Sequence, residues 1–450
     1  MCFYTHIMER TFIKDLSKHI DSEVLIKGWV DNRRDHGKLI FLDIRDGGAK
    51  VQAVVLPGEA QANAHDLRSE WTVVITALVK ARPEKMVNEK ELNGSLEIEV
   101  KTLEVLAKAQ ELPFDQKAEL NLDTRLDYRP LTLRSSRDRA IFKVQHEILR
   151  AYREFLTGEN FIEFQAPKLV GEDAEGGGNV FKVEYLYDQT AYLATSPQLY
   201  KQMMVGVFER VFATGDVFRA EKHSTTRHTN EYTSLDVEFG FIKDHTDIMR
   251  LEARLMHFMV KHLGETCALQ FKELGAELPL LKEEFPVMKM RDAQKLILEK
   301  TGEDHTNEPD LDPSDERFLC EYARAELGSD FIFITHYPTP KRPFYTFDDP
   351  EVPGFTRSFD LLFRGVEITT GGQRIHDPEV LIAKAKARGL DPEKFGFYLQ
   401  AFKYGMPPHG GWGMGLERLT QKFLGLGNLK EATLFPRDIN RIDTRLSKGE

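Results

Sequence analysis

The sequence contains few cysteines and no long apolar segment. Its three cysteines, Cys2, Cys267 and Cys320, have no metal-ligand spacing, so we expect free thiols in a reducing compartment. No apolar run is long enough to cross a bilayer, and the first residues, MCFYTHIMERTF, lack the apolar core of a signal peptide. These absences predict a cytoplasmic protein with no membrane partner, for which Met8 is an alternative translation start.

The sequence also lacks an excess of basic residues. Lysine and arginine number 61 against 72 aspartate and glutamate residues, which gives a formal net charge of -11. This balance argues against unspecific binding of polyanions by the whole surface, so we expect no DNA partner, although a local basic patch is still allowed. A chain of 450 residues, 41% of them apolar and 30% charged, should form two or more globular domains.

The first part of the chain is rich in predicted strands. Short alternating or β-branched runs are separated there by glycine, asparagine and aspartate: SEVLIKGWVDNRR, KLIFLDIRDGG, KVQAVVL, WTVVITALVKA and GSLEIEVKTLEVL. Five such runs predict a small closed barrel, and an OB-fold is the simplest choice. We therefore expect an OB-fold domain at 1–107, an arginine- and aspartate-rich linker at 108–139, and a second domain at 140–450.

The second domain mixes helices and strands. AIFKVQHEILRAYREFLTGENF has apolar residues at helical spacing, whereas RVFATGDVFRA, YTSLDVEFGFI, DFIFITHYP and SFDLLFRGVEIT read as strands. Period-two alternation in several strands favours an antiparallel sheet flanked by helices. The predicted fold class is therefore α+β.

One stretch, FRAEKHSTTRH, concentrates charge beside a predicted strand. Arg219 and Glu221 are two residues apart and would share a strand face, while Arg227 and His228 follow a polar turn. Arginine in a pocket is the natural partner of a phosphate because guanidinium donates two parallel hydrogen bonds. Judged alone, this stretch is better explained as a salt-bridged hairpin.

Two later stretches also contain residues that could bind a ligand with several phosphate groups. GMPPHGGWGMGLERLTQKFLG is rich in glycine, which permits close backbone approach to a ligand, and Glu417 and Arg418 then open a helix. It is not a P-loop, since GxxxxGK[ST] is absent. In RGVEITTGGQRIHD, Glu367 and Thr370 follow a predicted strand and could hold Mg²⁺ through oxygen atoms. A strand end with a glycine turn is an equally good explanation of that stretch.

The order of these stretches resembles the class II aminoacyl-tRNA synthetases. A helix ending in NFIEFQAPKL, then FRAEKHSTTRH, then GMGLERL correspond to motifs 1, 2 and 3 of that class. The preceding barrel is similar to that of the aspartate, asparagine and lysine subgroup. SPQLYKQ, EITTGGQRIHD and GMPPHGGWGMGLER most resemble the aspartate enzymes of compact archaeal/eukaryotic type. The resemblance implies a homodimer that joins L-aspartate to tRNA-Asp through an adenylate, with ATP as substrate and Mg²⁺ as cofactor.

The resemblance also assigns roles to residues of the nucleotide site. Arg219 would clamp the α-phosphate, Arg418 would hold the γ-phosphate, and both are expected to be catalytic. Glu367 and Thr370 would bind Mg²⁺. The residues expected to bind ATP are Arg219, Ala220, Glu221, Arg227, His228, Thr229, Glu367, Gly415, Leu416, Glu417 and Arg418.

An anionic substrate side chain calls for a cationic pocket, which Lys201 and Arg374 would supply. Lys201 considered alone is more often a surface lysine. Asp236 is a further candidate for the substrate amino group, and Glu175 lies in a glycine-rich segment that could close over the substrate. The resemblance implies an aspartate site made of Glu175, Ser196, Gln198, Leu199, Tyr200, Lys201, Arg219, Thr370 and Arg374.

The barrel would bind the anticodon. Phe41 is the candidate for stacking on a base, with Arg33 and Gln52 beside it, although Phe41 would be taken as barrel core without the resemblance. Some members of this family charge only tRNA-Asp, whereas others also charge tRNA-Asn. Asp31 is not the residue that we associate with strict selectivity for tRNA-Asp, so charging of both tRNAs is a live hypothesis. The arginines of the predicted linker could contact the phosphate backbone of the tRNA, or could equally well pair with nearby aspartates.

Other functions also fit parts of the pattern. The chain could be an asparaginyl-tRNA synthetase, which would have no need of two cations around a neutral amide. An ATP-dependent amino-acid ligase built on the same catalytic fold would be expected to lack the barrel. A tRNA-binding paralogue without activity would be expected to lose Arg219, Glu367 or Arg418, all of which are present.

Overall fold

A computed structural model of the protein describes residues 8–88, 92–115, 118–171, 179–223 and 225–446. The chain divides into two compact units, Met1–Glu119 and Leu120–Glu450. Among the described residues, no helix combines the length and the apolar character needed to cross a membrane.

The first unit is a closed barrel, which confirms the predicted OB-fold. Its described elements are β1 (Glu23–Asp35), β2 (Ile40–Arg45), β3 (Lys50–Val55), α1 (Glu59–His65), β4 (Thr72–Ala81) and β5 (Leu96–Ala107). The strand order is β1-β2-β3-β5-β4, in which β3 and β5 are parallel and the other pairs are antiparallel. Val24, Ile26 and Val30 alternate with more exposed residues along β1 and fill the interior. A β-carbon at Gly28 would lie 2.4 Å from the carbonyl oxygen of Arg45, so only glycine fits there.

The second unit is built on one large sheet. Its strands are β6 (Ile162–Glu163), β7 (Leu169–Val170), β8 (Lys182–Glu184), β9 (Thr190–Leu193), β10 (Arg210–Phe218), β11 (Glu231–Gly240), β12 (Val287–Lys289), β13 (Phe331–Thr335), β14 (Ser358–Phe363), β15 (Val366–Arg374) and β16 (His409–Gly415). The described sheet has the order β12-β13-β14-β15-β16-β11-β10-β6 and is antiparallel except at its two ends, while β7, β9 and β8 form a small separate sheet.

Helices pack on both faces of the large sheet. They are α2 (Leu122–Asp127), α3 (Arg129–Thr132), α4 (Ser136–Gly158), α5 (Gln198–Phe208), α6 (His245–Thr266), α7 (Ala268–Leu274), α8 (Met290–Thr301), α9 (Pro313–Leu327), α10 (Pro378–Ala387), α11 (Gly396–Lys403) and α12 (Leu416–Leu424). Apolar side chains of α4 and α6 pack with Leu235, Val237 and Phe239 of β11 in the main core. Because strand side chains alternate between faces, Asp236 and Glu238 point to the opposite face. That face carries the candidate site.

The arginine-rich segment that we expected to be a linker contains helices. Arg125 and Arg129 both pair with Asp138, near the start of α4. Arg129 also donates hydrogen bonds to the carbonyl oxygens of Thr433 and Leu434, each at 2.8 Å. These arginines therefore tie α2, α3 and α4 to the last part of the chain. The domain boundaries at 107 and 139 stay a prediction.

Candidate active site

A cavity of about 370 Å³ lies in the second unit and collects most of the predicted site residues. It is lined by parts of α5, β11, β15, β16, α12 and the connection between β10 and β11. The predicted residues among its walls are Ser196, Gln198, Lys201, Arg219, Glu221, Arg227, His228, Thr229, Glu367, Thr370, Arg374, Gly415, Glu417 and Arg418. Residues separated by more than 200 positions in the chain thus face one space.

Some predicted residues lie elsewhere. Leu199 and Tyr200 do not line this cavity; they lie on a different side of α5, beside a much smaller pocket that includes Phe397. Ala220 donates its backbone N–H to the carbonyl of Asn179, and Leu416 is buried in the main core. Glu175 lies outside the described residues.

Two local predictions were wrong about strand positions. Arg219 and Glu221 follow β10, which ends at Phe218, and Glu221 donates its N–H to the carbonyl of Arg219, so the two residues form a turn. Glu367 and Thr370 lie within β15 and do not follow a strand.

Two cations and two anions meet at the deep end of the cavity: Lys201, Arg374 and Asp236 line it, and Glu238 is fully buried beside them. Nζ of Lys201 donates to Oδ1 of Asp236 at 2.9 Å and to the carbonyl of Trp412 at 2.8 Å, and lies 3.5 Å from Oε2 of Glu238. Nε of Arg374 donates to Oε1 of Glu238 at 2.9 Å. Burial alone would raise the pKa of Glu238, but Arg374 and Lys201 hold that pKa below its usual range. A zwitterionic ligand could pair with both signs of charge here.

The glycines of β16 serve contacts within the sheet. A β-carbon at Gly411 would lie 1.9 Å from the carbonyl oxygen of Val237 and 2.6 Å from Oε2 of Glu238. One at Gly413 would lie 3.2 Å from Oδ1 of Asp236. The close approach that we predicted for a ligand is, at these positions, an approach of the protein's own strands. Because Gly411 and Gly413 lack side chains, there is room for the buried carboxylates of Glu238 and Asp236.

The outer end of the cavity is electropositive. Burial lowers the pKa of His228, and Arg418, Arg227 and Arg219 lower it further against the opposing effect of Glu221. Nη1 of Arg418 donates to the carbonyl of Glu367 at 2.7 Å. The guanidinium of Arg219 lies 5.7 Å from the ring centre of Tyr232, which also lines the cavity. Several arginines around one space suit a ligand with several negative charges.

Oxygen atoms gather on β14 and β15 beside these arginines. Oγ1 of Thr370 donates to Oε1 of Glu367 at 2.9 Å, and Asp360 is paired with Thr370 across the two strands. Arg342 donates to Oδ2 of Asp360 at 2.8 Å, and the hydroxyl of the buried Tyr337 also interacts with this carboxylate. Such a set of hard oxygen donors fits a divalent cation. We did not predict Asp360 or Arg342; the signal for Asp360 is a charge within the apolar run SFDLLF.

A second candidate surface lies on the barrel of the first unit. Phe41 is half-buried on the outer face of β2 and its ring lies edge-on to His36 at 5.4 Å. Gln52 is half-buried on the same face of β3. Arg33 is paired with buried Leu42 and therefore points to the other face, whereas Arg34 is paired with Phe41. Nη2 of Arg34 donates to Oε1 of Gln52 at 3.3 Å, so Arg34 joins this surface and Arg33 does not.

A largely antiparallel sheet packed against helices, with a cavity of arginines and acids on one of its faces, is the architecture of the class II aminoacyl-tRNA synthetases. Residues 121–439 match the family described as tRNA synthetases class II (D, K and N), and the chain belongs to that family. Residues 24–106 match the OB-fold nucleic acid binding domain. The protein is thus an aminoacyl-tRNA synthetase, a class of enzyme that uses ATP as a substrate.

Similar proteins extend over nearly the whole chain. The chain is 45% identical to the Aspartate--tRNA(Asp/Asn) ligase of Thermus thermophilus, with 96% of this chain and 99% of that protein covered. Identity to the Aspartate--tRNA(Asp/Asn) ligase of Deinococcus radiodurans is 44%, with coverages of 97% and 99%. Among solved structures, asparaginyl-tRNA synthetase from Pyrococcus horikoshii complexed with asparaginyl-adenylate superposes with a TM-score of 0.88 at 33% identity, covering 96% of this chain and 99% of that one.

Proposed function

We propose that the protein attaches L-aspartate to tRNA-Asp through an aspartyl-adenylate, with tRNA-Asn as a further acceptor. The observation that carries this proposal is the buried group of Lys201, Asp236, Glu238 and Arg374 at the deep end of the cavity. The β-carboxylate of aspartate would pair with the two cations, and its ammonium group with Asp236. Ser196 and Gln198 line the same cavity and would complete the pocket.

Asparagine is the second candidate substrate. Glu238 contacts both Lys201 and Arg374, so the two cations already have a counter-charge, and a neutral amide could be accepted beside them. Aspartate is nevertheless favoured, because both oxygens of its β-carboxylate can accept charge-assisted hydrogen bonds from Lys201 and Arg374, whereas the amide of asparagine offers one uncharged acceptor oxygen. A site built to pair a charge discriminates strongly against the neutral analogue.

In the first step, the α-carboxylate of the amino acid attacks the α-phosphorus of ATP and pyrophosphate leaves. Arg219 would neutralise the charge that develops at the α-phosphate, while Arg227, His228 and Arg418 would hold the β- and γ-phosphates. In the second step, a hydroxyl of the terminal ribose of tRNA attacks the activated carbonyl and AMP leaves. The ring of Tyr232 could stack on the adenine of ATP.

Mg²⁺ would be held by Glu367 and Thr370, and the carboxylate of Asp360, which is paired with Thr370 across the two strands, would add a third ligand. When bound, the ion would neutralise charge on the triphosphate. Arg342 would keep Asp360 in place, since it donates to Oδ2 of that carboxylate.

The barrel, proposed as residues 1–107, would read the anticodon, with 108–139 as linker and 140–450 as the catalytic domain. Phe41 would stack on a base, while Gln52 and Arg34 would contact base edges or phosphates. A cytoplasmic location stays a prediction.

The protein would act as a symmetric homodimer through α4 and β6. In support, β6 lies at the edge of the described sheet and Ile162 in it is exposed, so a second copy could cover that edge. Sedimentation at micromolar concentration should give the mass of a dimer, and a monomer would contradict this part of the proposal.

The deciding experiment measures ATP–pyrophosphate exchange with aspartate or asparagine, followed by charging of tRNA-Asp and tRNA-Asn transcripts. We expect exchange with aspartate alone and aspartate on both transcripts. Charging of tRNA-Asp alone would restrict the proposal to one acceptor. Exchange with asparagine in place of aspartate would overturn the role given to Lys201 and Arg374.

A further inference from the structure

Arg227 is held between three parts of the second unit. Its Nη2 donates to Oε2 of Glu316 on α9 at 2.9 Å and to the carbonyl oxygen of Gly365 at 2.8 Å. The neighbouring backbone is anchored as well, because Leu429 donates its N–H to the carbonyl of Thr226 at 3.0 Å. Both the guanidinium group of this arginine and the backbone next to it are therefore held in place.

The two acceptors belong to a rigid frame. Asp312 caps the start of α9 and forms a reciprocal capping box with Asp315, and Leu319 is buried one turn beyond. Gly365 lies in the tight turn between β14 and β15, where it and Arg364 both have positive φ angles, as hairpin turns of this kind require. Glu316 and Gly365 thus present their oxygens from well-fixed backbone.

Arg227 still has donors to offer. It lines the cavity together with His228 and Arg418, whereas Glu316 is not part of the cavity wall. Nε and Nη1 of Arg227 have no hydrogen-bond partner among the described residues, since its side-chain bonds there are those of Nη2. Planar guanidinium can bind a carboxylate with one edge and a phosphate with another. In Arg227, the protein thus binds one nitrogen, Nη2, and leaves Nε and Nη1 available to a ligand.

We propose that Glu316 is a positioning residue that holds Arg227 ready for the β- and γ-phosphates of ATP. Its carboxylate and the carbonyl of Gly365 take the Nη2 group, and Nε and Nη1 remain for the nucleotide. Fixing the arginine before the ligand arrives removes most of the entropy cost of ordering it on binding. The inference rests on the proposed function, because ATP is the ligand in both.

The test compares ATP with AMP, which lacks the β- and γ-phosphates. In Glu316→Gln, calorimetry should show an about tenfold rise in Kd for ATP, the scale of one immobilised side chain, and no change for AMP. In the Arg227→Ala background, Glu316→Gln should have no further effect on ATP. Glu321→Gln, an exposed glutamate on the same helix, should leave both affinities unchanged.

Different failures have different signatures. Equal losses for ATP and AMP, or a loss that persists in the Arg227→Ala background, would mean a structural role for Glu316 and would overturn the inference. Unchanged ATP binding in Glu316→Gln would overturn it too. Absence of aspartate-dependent exchange in the unmodified enzyme would reject the proposed function alone, since binding of ATP and AMP is measured without an amino acid.

Discussion

Lys201 carries its charge where water has almost no access. Its side chain is 1% exposed, and its ammonium group lies within 3.5 Å of both Asp236 and Glu238. A buried ammonium is costly unless it is paired, and even a paired one adds little to stability compared with an apolar residue of similar size. We therefore attribute this arrangement to recognition of the substrate and not to stability.

Lys201→Met should impair use of aspartate far more than use of ATP. The substitution keeps the length of the side chain but removes a charge-assisted hydrogen bond to the substrate, worth about 1.5–3 kcal/mol, or about 10- to 150-fold in KM for aspartate. KM for ATP should change by less than about threefold, because the phosphate-binding arginines are untouched. Pyrophosphate exchange at varied aspartate and varied ATP measures both constants.

Lys261→Met is the control, since Lys261 is an exposed lysine on α6. It should leave both constants unchanged. A Lys201→Met enzyme with normal KM for aspartate would show that Lys201 only balances the carboxylates around it.

Individual residues also show which side-chain positions could be predicted from the sequence and which could not. Gln198 and Lys201 are three apart on α5 and share a helix face, so helical periodicity could have excluded Leu199 and Tyr200 from the cavity. The choice between Arg33 and Arg34 could not be made in this way. A register shift between Val30 and Asn32 in β1 reverses the expected alternation, and a slip of one residue exchanges the two faces of a strand.

At the scale of elements, a buried ion network joins α2, α3 and α4 to the end of the chain. Asp138, whose side chain is 2% exposed, pairs with Arg125 and Arg129. Asp138→Asn should lower the free energy of unfolding by about 3–5 kcal/mol, because it leaves two arginines with too little counter-charge in a dry environment. Urea denaturation followed by circular dichroism would measure the loss.

The matched control is Asp123→Asn. Asp123 pairs with Arg445 at 2.6 Å, but the two side chains are 70% and 53% exposed. An exposed pair contributes at most about 1 kcal/mol, so this variant should be close to the unmodified protein. Equal losses in both variants would mean that burial does not set the strength of these pairs.

A buried glutamate on α6 should make stability depend on pH. Burial raises the pKa of Glu252 to about 8, so the folded protein keeps a proton that the unfolded chain releases near its ordinary pKa of 4.5. The unfolded state then binds fewer protons, and stability falls as pH rises through this window. Glu252→Gln should remove that fall, gaining up to about 1.4 kcal/mol over the unmodified protein for each pH unit between pH 5 and 8.

Urea denaturation at several pH values would test this difference. Glu265→Gln, an exposed glutamate on the same helix, should show no gain that grows with pH. A constant difference between Glu252→Gln and the unmodified protein would contradict the prediction, because it would mean that the carboxyl titrates equally in both states.

Elements with strong periodicity could be predicted, and short ones could not. The barrel strands and α4 carry clear alternation or helical spacing over ten or more residues in most cases. By contrast, β6 and β7 have two residues each, and α2 and α3 lie in a stretch with little periodicity. Asp360 becomes a candidate only when the pairing of β14 with β15 places it opposite Thr370. Such long-range pairing has no local sequence signal.

At the scale of the whole molecule, the two units divide the proposed chemistry. Every residue that lines the candidate-site cavity belongs to the second unit, whereas Phe41, Gln52 and Arg34 belong to the first. Adenylate formation should therefore be separable from recognition of the anticodon.

Phe41→Ala and Arg34→Ala should weaken charging of tRNA and leave pyrophosphate exchange unchanged. Loss of one base–aromatic stack costs about 1–3 kcal/mol, so KM for tRNA should rise about tenfold or more in Phe41→Ala. Arg34→Ala should also make charging less sensitive to salt, because a cation beside the RNA is lost. Arg33→Ala, which changes a neighbouring arginine on the other face of β1, is the matched control and should affect charging much less.

A comparison of KM for tRNA between Arg33→Ala and Arg34→Ala decides which face of the barrel binds RNA. If Arg33→Ala raises KM for tRNA more than Arg34→Ala, the outer face that carries Phe41 is not the contact surface, whatever the effect of Phe41→Ala. If both arginine variants are harmless while Phe41→Ala is not, stacking alone supplies the contact. A fall in pyrophosphate exchange in any of the three would show that the units are coupled, since none of these residues lies in the unit that contains the cavity.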